Sequence, residues 1–393
     1  MDKVRIGVIG VGTMGLHHAS YMKDVEGAQL TAICDTDPKR LETARARVPN
    51  VGTFDDYQDV LSSGSVDAVL VATPHYPHPE ITLAAFEKNL HVLCEKPVAV
   101  TVGAARRMNE AAAKHPKLKF AAMFMMRTSG LYSKVRKMVH DGEIGQISRL
   151  SWIVTDWFRT WTYYASGGWR ATWEGEGGGV LLNQCPHNLD LMCWITGMMP
   201  KRVTAVAHIG KTHPIEVEDE VSAIMEYPNG ATGHFITTTG EAPGTNRLEI
   251  VGDKGRLVVG RGRISFRRNE VSASEYCRTS RERFRGPDWE DVEVATPADP
   301  PDLHKAITEN FVRAILRDEP LLAPGIEGVR GLELGNAMLL SGLTHRPIDL
   351  PLDANEYEQF LKDLSRKYGG RKTLSTVGAA TGTDDVKASF KKA

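Results

Sequence analysis

A strand, a glycine turn and a helix open the chain in quick succession, and no other feature narrows the fold as much. Residues 4–9 are a short apolar run that reads as a buried strand. Gly10-Val11-Gly12-Thr13-Met14-Gly15 follows, and a helix is expected from about Thr13 to Glu26. The pattern G-x-G-x-x-G is weak in isolation; between a strand and a helix it has a mechanical meaning. Gly10 permits the tight turn, Gly12 lets a pyrophosphate approach the backbone, and Gly15 lets helix and strand pack closely. The helix N-terminus, with Thr13 and Met14 in its first turn, offers N–H groups and a partial positive charge to that anion. The plainer alternative is an ordinary glycine-rich turn.

The next hundred residues keep the same rhythm. Strands are expected at 29–34, 66–72, 90–94 and 118–123, with helices from Asp37 to Val48, about His78 to Asn89 and about Thr101 to Lys114. Such alternation implies parallel strands, right-handed crossovers and helices on both faces, an α/β, doubly wound Rossmann domain over residues 1–123. The second strand ends at Asp35, whose carboxylate can accept hydrogen bonds from ribose hydroxyls and repel a 2′-phosphate. NAD is therefore expected rather than NADP, with Arg40 the one nearby cation that would favour the phosphate. A turn residue or helix cap is the structural alternative for Asp35.

After Met123 the pattern changes. Strand-like segments at 147–157, 201–209, 218–227, 230–239, 246–251 and 255–259 follow one another, with turns such as Pro228-Asn229-Gly230 between them. Consecutive strands with short turns predict an antiparallel sheet in a second domain, residues 124–352. Helices are expected at 303–317 and 326–344, and a C-terminal one at 353–369, where Tyr357, Phe360, Leu361, Leu364 and Tyr368 recur at helical spacing. The small, polar, Lys-rich stretch 370–393 reads as a flexible tail.

Composition excludes some partners. Lys plus Arg is 48 and Asp plus Glu is 49, so the chain lacks the charge surplus of a general nucleic-acid or membrane-surface binder. The five cysteines are scattered, with no C-x-x-C pair, which argues for reduced thiols rather than a disulfide framework or zinc knuckle. The N-terminus enters a strand without a leader pattern, and no apolar run approaches the ~18 residues a membrane span needs. A cytoplasmic protein is expected.

Two segments carry candidate chemistry. The strand at 90–94 runs into Glu95-Lys96-Pro97, at the sheet edge where ligands of open α/β folds bind. A lysine there can hold a substrate hydroxyl; as an isolated residue it reads equally as a surface lysine. Farther on, Gly177-Gly178-Gly179 leads to Asn183, His187 and Asp190, which would share one face of a helix. His187 is a candidate general base or a satisfied core histidine. Asn183 is a candidate ligand or an N-cap, with Pro186 in the first turn. His75, His78, Glu95, His187 and Asp190 make no recognised metal-ligand spacing, so no metal is expected. The stretch 157–176 is dense in aromatics, including Tyr163, Tyr164 and Trp169, with Arg159 and Arg170 among them. It reads as a loop that lines a sugar-like substrate, or as one that packs on itself or a neighbouring subunit.

The order of these segments resembles the Gfo/Idh/MocA oxidoreductases: the glycine turn, Thr73-Pro74-His75-Tyr76-Pro77-His78, Glu95-Lys96-Pro97, the triple glycine with His187 and Asp190, and a late helix after Glu327 that ends near Arg346-Pro347. The resemblance covers about residues 3–352. It implies a second α/β domain with a large, mostly antiparallel open sheet, and hydride transfer between NAD and a hydroxyl-bearing carbon of a sugar, glycoside or cyclitol, in a homodimer or homotetramer. By position it makes Lys96 the group that polarises the hydroxyl and His187 the acid/base. It puts Thr73, Pro74, His78, Glu95 and Lys96 itself near the cofactor, and Asp190 and the aromatic loop near the substrate. The family commonly has aspartate where this chain has Asn183, and an amide cannot accept a proton as a carboxylate can. Some relatives retain NAD and cleave glycosidic bonds by transient oxidation and elimination, which is the alternative activity.

Overall fold

The computed structural model describes residues 2–374. The first unit alternates β1 (Val4–Ile9), α1 (Thr13–Tyr21), β2 (Ala28–Cys34), α2 (Pro38–Arg47), β3 (Gly52–Phe54), α3 (Tyr57–Ser62), β4 (Ala68–Val71), α4 (Pro77–Glu87), β5 (His91–Cys94), α5 (Val102–Lys114) and β6 (Phe120–Ala122). Its six strands are parallel, in the order β3-β2-β1-β4-β5-β6. Burial on both faces explains why β1 and β4 are continuous apolar runs. Chain order reverses between β1 and β4, and ligands of open α/β sheets bind at the carboxyl ends beside such a switch.

The second unit contains α6 (Gly130–His140), β7 (Ile147–Val154), α7 (Trp161–Ala165), α8 (Pro186–Thr196), β8 (Arg202–Ile209), β9 (Glu218–Glu226), β10 (Thr232–Thr238), β11 (Asn246–Gly252), β12 (Gly255–Gly260), β13 (Arg263–Asn269), α9 (Ala273–Thr279), β14 (Trp289–Val292), α10 (Leu303–Arg317), α11 (Gly328–Thr344), β15 (Ile348–Asp349) and α12 (Ala354–Tyr368). Nine strands form one sheet, β14-β13-β12-β11-β7-β10-β9-β8-β15, antiparallel except where β10 runs beside β7. Along β8, residues alternate between exposed and buried from Arg202 to His208, the signature of a sheet with one covered face. Helix α11 lies on the covered face, where Ser341 Oγ accepts the Ala205 N–H at 2.9 Å.

Two features differ from the sequence reading. Helix α10, expected in the second unit, packs on the first: Leu316 and Val312 press against Gly27, and Tyr21 is hydrogen-bonded to Thr308 at 2.8 Å. The tail expected to be free from residue 370 is anchored at its start. Gly370 N–H donates to Glu216 at 2.8 Å, and Lys372 Nζ donates to the carbonyls of Gly167 and Arg170 at 2.9 and 2.7 Å. The rest of that expectation, 375–393, lies outside the described residues. Among the described residues, no helix is long and apolar enough to cross a membrane.

Candidate active site

The glycine turn closes over the end of β1. A Cβ at Gly15 would stand 1.7 Å from the Gly10 carbonyl oxygen, so only glycine lets α1 start this close to the strand. Among the described residues a Cβ at Gly12 would meet only Arg40, at 3.7 Å, so the turn is open there. Gly12 is also the N-cap of α1 and provides no side-chain cap, which leaves the first-turn amides to an external anion. Thr13 is exposed and Met14 half-buried at this mouth. Asp35 accepts the Val11 N–H and the Asp37 N–H, each at 2.9 Å, and Arg40 stands 4.0 Å from it. Its carboxylate therefore braces the turn and still has lone pairs for a ribose. These residues fit a dinucleotide.

The chemical end lies at the carboxyl edges of β4 and β5. Burial alone would raise the Glu95 carboxyl, but the hydrogen bond and charge of His18, 2.7 Å away, hold it down to about 2. Its other oxygen accepts the Lys96 N–H at 3.0 Å. Glu95 thus ties α1 to the loop after β5, and its carboxylate is committed to protein rather than to cofactor as expected. The same correction applies to His78. Its Nδ1 and Nε2 face the carbonyls of Pro97 and Thr73 at 2.8 and 2.9 Å, so it staples the Thr73-Pro74 turn to the Lys96-Pro97 loop. Lys96 Nζ donates to the main-chain carbonyl of Asn183 at 2.9 Å. Burial pulls the lysine below its ordinary value, against the attraction of Glu95.

The glycine run brings the second segment to this edge. At Gly179 a Cβ would meet the Glu218 carbonyl oxygen at 1.9 Å, so the chain can pass only as glycine. Pro186 is the first residue of α8 and Cys185 is its N-cap. Asn183 consequently lies in the turn before the helix, neither its cap nor on its face. His187 sits in the first turn, buried, and its Nδ1 has no hydrogen-bond partner among the described residues. Burial and the neighbouring Lys96 charge press its imidazole down to about 3, so it is neutral at physiological pH. Asp190 is paired inside the protein, where Arg127 donates to its two oxygens at 2.6 and 2.9 Å. Its expected neighbourhood with a substrate is taken by that ion pair.

The aromatic stretch divides. Tyr163 OH receives Arg170 NH1 at 2.7 Å and Gln184 Nε2 at 3.1 Å, and the Arg170 guanidinium lies over the Tyr163 and Trp169 rings. Arg159 lies over the rings of Trp157 and Tyr163. Trp169 meets His75 edge-on at 5.5 Å. Tyr164, expected beside the substrate, is turned into the core, hydrogen-bonded to Thr239 at 2.8 Å and packed on His213.

Two groups escaped sequence reasoning. Glu176 is buried beside Asn183, whose Nδ2 donates to it. His17, Asp302 and His304 gather between α1 and α10, with one ligand atom from each within 4.8 Å of the others. Neither has a local signal, because each depends on chain segments that only the fold brings together.

Glu218 supports the glycine run from below, accepting the Gly179 and Leu181 N–H groups at 2.8 and 3.1 Å. Burial outweighs those bonds and pushes its carboxyl from 4.5 up to about 7. A raised carboxyl stabilises the fold fully below its unfolded value, and that contribution disappears as pH rises through the folded value. Ionising Glu218 should therefore remove roughly 3 kcal/mol of stability between about pH 4.5 and pH 7. Thermal melts across this range should show a slope that flattens in Glu218→Gln; an equal slope in both proteins would refute the assignment.

Comparison with known proteins follows the same division. Residues 4–123 match the family described as "Oxidoreductase family, NAD-binding Rossmann fold", and residues 132–258 match "GFO/IDH/MocA C-terminal domain". The inositol 2-dehydrogenase of Corynebacterium glutamicum strain R is 28% identical over 58% of this chain, a match that spans 64% of that enzyme, less than two thirds of its length. The myo-inositol 2-dehydrogenase of Thermotoga maritima is 26% identical over 85% of this chain and 95% of its own. The WlbA dehydrogenase from Bordetella pertussis, solved with NADH and UDP-GlcNAcA, superposes with a TM-score of 0.74 at 27% identity, covering 89% of this chain and all of that one.

Proposed function

The chain belongs to the Gfo/Idh/MocA oxidoreductases, and from that membership we propose that it transfers a hydride between NAD and a hydroxyl-bearing carbon of a sugar, glycoside or cyclitol. The observation that supports this most directly is the meeting of Lys96, Asn183 and His187 at the carboxyl edge of β5, on the same sheet edge as the glycine turn. When bound, NAD supplies the nicotinamide carbon that accepts or returns the hydride. Lys96 has three N–H donors, of which one is spent on Asn183, so the others serve a substrate oxygen. An ammonium there stabilises the negative charge that develops as the hydroxyl loses its proton. Neutral His187 has a lone pair for that proton and, as imidazolium, returns it in the reverse direction. Arg170, Tyr163 and Trp169 offer the donors and ring faces that suit a polyhydroxylated ligand.

Asp35 sets the cofactor preference in this reading. Asp35→Asn removes the charge that repels a 2′-phosphate and weakens the ribose contact. The variant should bind NADH roughly 10-fold less tightly, an effect in the range of one charged hydrogen bond, and discriminate less against NADPH. Fluorescence titration with both cofactors checks it; an unchanged NADH-to-NADPH ratio would count against Asp35.

Self-association is part of the proposal. The uncovered face of the large sheet carries Val206, Ile224 and Ile236, exposed by 50, 53 and 37%. An apolar strip on a sheet face suits a second copy, as homodimer or homotetramer, and light scattering in solution decides it.

The activity itself is tested by mixing the protein with NAD and a panel of sugars, glycosides and inositols and following NADH. Growth of NADH absorbance with one substrate class supports the dehydrogenase. Silence across the panel, with NAD released on denaturation and glycoside bonds cleaved, would replace it with the oxidation–elimination alternative.

A further inference from the structure

Glu176 is 1% exposed and its carboxylate is filled with donors. Ala171 N–H donates to Oε2 at 2.6 Å, Asn183 Nδ2 donates to Oε1, and the Arg170 guanidinium stands 3.8 Å from Oε1. Its main-chain carbonyl faces His75 Nδ1 at 2.9 Å. The Asn183 amide is held from a second side, because Nδ2 also lies 3.4 Å from Tyr163 OH. An ionised carboxylate only accepts hydrogen bonds. The amide can therefore face Glu176 only with its NH2 end, and both N–H bonds of that end are then occupied. Oδ1 is the end left for a ligand.

We propose that Glu176 is a positioning residue that turns Asn183 into a fixed hydrogen-bond acceptor for a substrate hydroxyl. This rests on the dehydrogenase reading of the same site. A hydrogen bond from an amide to a carboxylate draws negative charge toward the amide oxygen, because linked hydrogen bonds polarise one another. Glu176 thus lends its charge to a neutral side chain. The asparagine presents an acceptor, and the carboxylate stays buried with Arg170. The substrate it suits carries a free hydroxyl at the carbon that reaches Asn183; an analogue lacking that hydroxyl, or bearing a carbonyl there, leaves Oδ1 without a donor. Burial raises the Glu176 carboxyl, opposed by Arg170 and by the Ala171 and Asn183 donors. Protonation at low pH would let the amide reverse and present NH2 instead, so turnover should have an acid limb that belongs to Glu176.

The test is a charge exchange between the two positions. Glu176→Gln should lower kcat/KM roughly 10- to 100-fold, lose the acid limb of the pH profile and keep NADH affinity. Asn183→Asp places two carboxylates in contact and should shift activity toward lower pH, where one of them is protonated. The double variant Glu176→Gln/Asn183→Asp restores one carboxylate and one amide, and should recover at least tenfold over Glu176→Gln. Unchanged kcat/KM and pH profile in Glu176→Gln, or a double variant no better than the product of the singles, would overturn the assignment. Thermal melts read the same contact without any substrate. Asn183→Asp should be less stable than the native chain at pH 8, much less so at pH 5, and Glu176→Gln should relieve it. If Asn183→Asp melts like the native chain at both pH values, the Glu176 contact is refuted. If the melts behave as stated and no sugar is turned over by the native chain, the dehydrogenase reading falls and the contact stands.

Discussion

Lys96→Ala should lower kcat by about 10²- to 10³-fold, the range seen when one preorganised donor to a developing negative charge is removed, while NADH affinity changes little. The separation follows from geometry. In the proposed reading the pyrophosphate end of the site is built by Gly10, Gly12 and the start of α1, and its adenosine end by Asp35, which also braces the Val11 N–H. Lys96 Nζ instead reaches across to the Asn183 carbonyl in the other unit. In the same reading, loss of the ammonium removes a donor to the reacting oxygen, and it also removes one of the bonds that join the two segments. Lys96→Arg controls for charge alone: a planar guanidinium keeps the charge but not the point geometry of the ammonium, and should recover only a small part of the rate. Steady-state hydride transfer, fluorescence titration with NADH and thermal melts on the same preparations separate the three effects. Turnover within threefold of the native chain would remove Lys96 from the chemistry, whatever happened to stability.

What could be read from the chain beforehand depended on distance along it. The glycine turn, the parallel unit and the helix at Leu303–Arg317 were legible because their signals are local: an apolar run, a glycine spacing, a 3.6-residue period. The placing of α10 was not, because its contact with Gly27 and Tyr21 joins residues nearly three hundred positions apart. Within the site, Lys96 and His187 could be singled out by their motifs. The common helix face expected for Asn183, His187 and Asp190 does not exist, since Pro186 starts the helix after Asn183 rather than at it. Asp190 looked like a site residue because it is polar and three residues from His187; its partner Arg127 lies 63 residues earlier. Glu176 carries no periodicity or spacing that marks it, only the contact that the glycine run creates.

Asp190→Ala should be among the most destabilising single substitutions, by about 3–5 kcal/mol, because it leaves a buried charge without its main partner. Arg127 is 2% exposed. It donates twice to Asp190, once to Glu327 at 2.5 Å and once to the Leu322 carbonyl at 3.1 Å, and its guanidinium lies 5.4 Å from the ring centres of Phe124 and Trp194. Glu327 is about a third exposed, with 35% of its side chain in contact with solvent, and cannot neutralise the guanidinium as the buried Asp190 does. The pair joins α8, which carries His187, to the segment just after β6 and to the residue preceding α11. Replacing both partners with apolar residues of similar size, Arg127→Met with Asp190→Leu, should return most of the lost stability, because neither charge then remains to be solvated. The pair of measurements separates a structural role from a substrate role. If Asp190 serves the fold, the double variant regains its melting temperature and, well below that temperature, keeps NADH affinity and most of kcat/KM. If Asp190 holds substrate, the double variant melts normally and KM rises at least tenfold, the scale expected for one lost charged hydrogen bond.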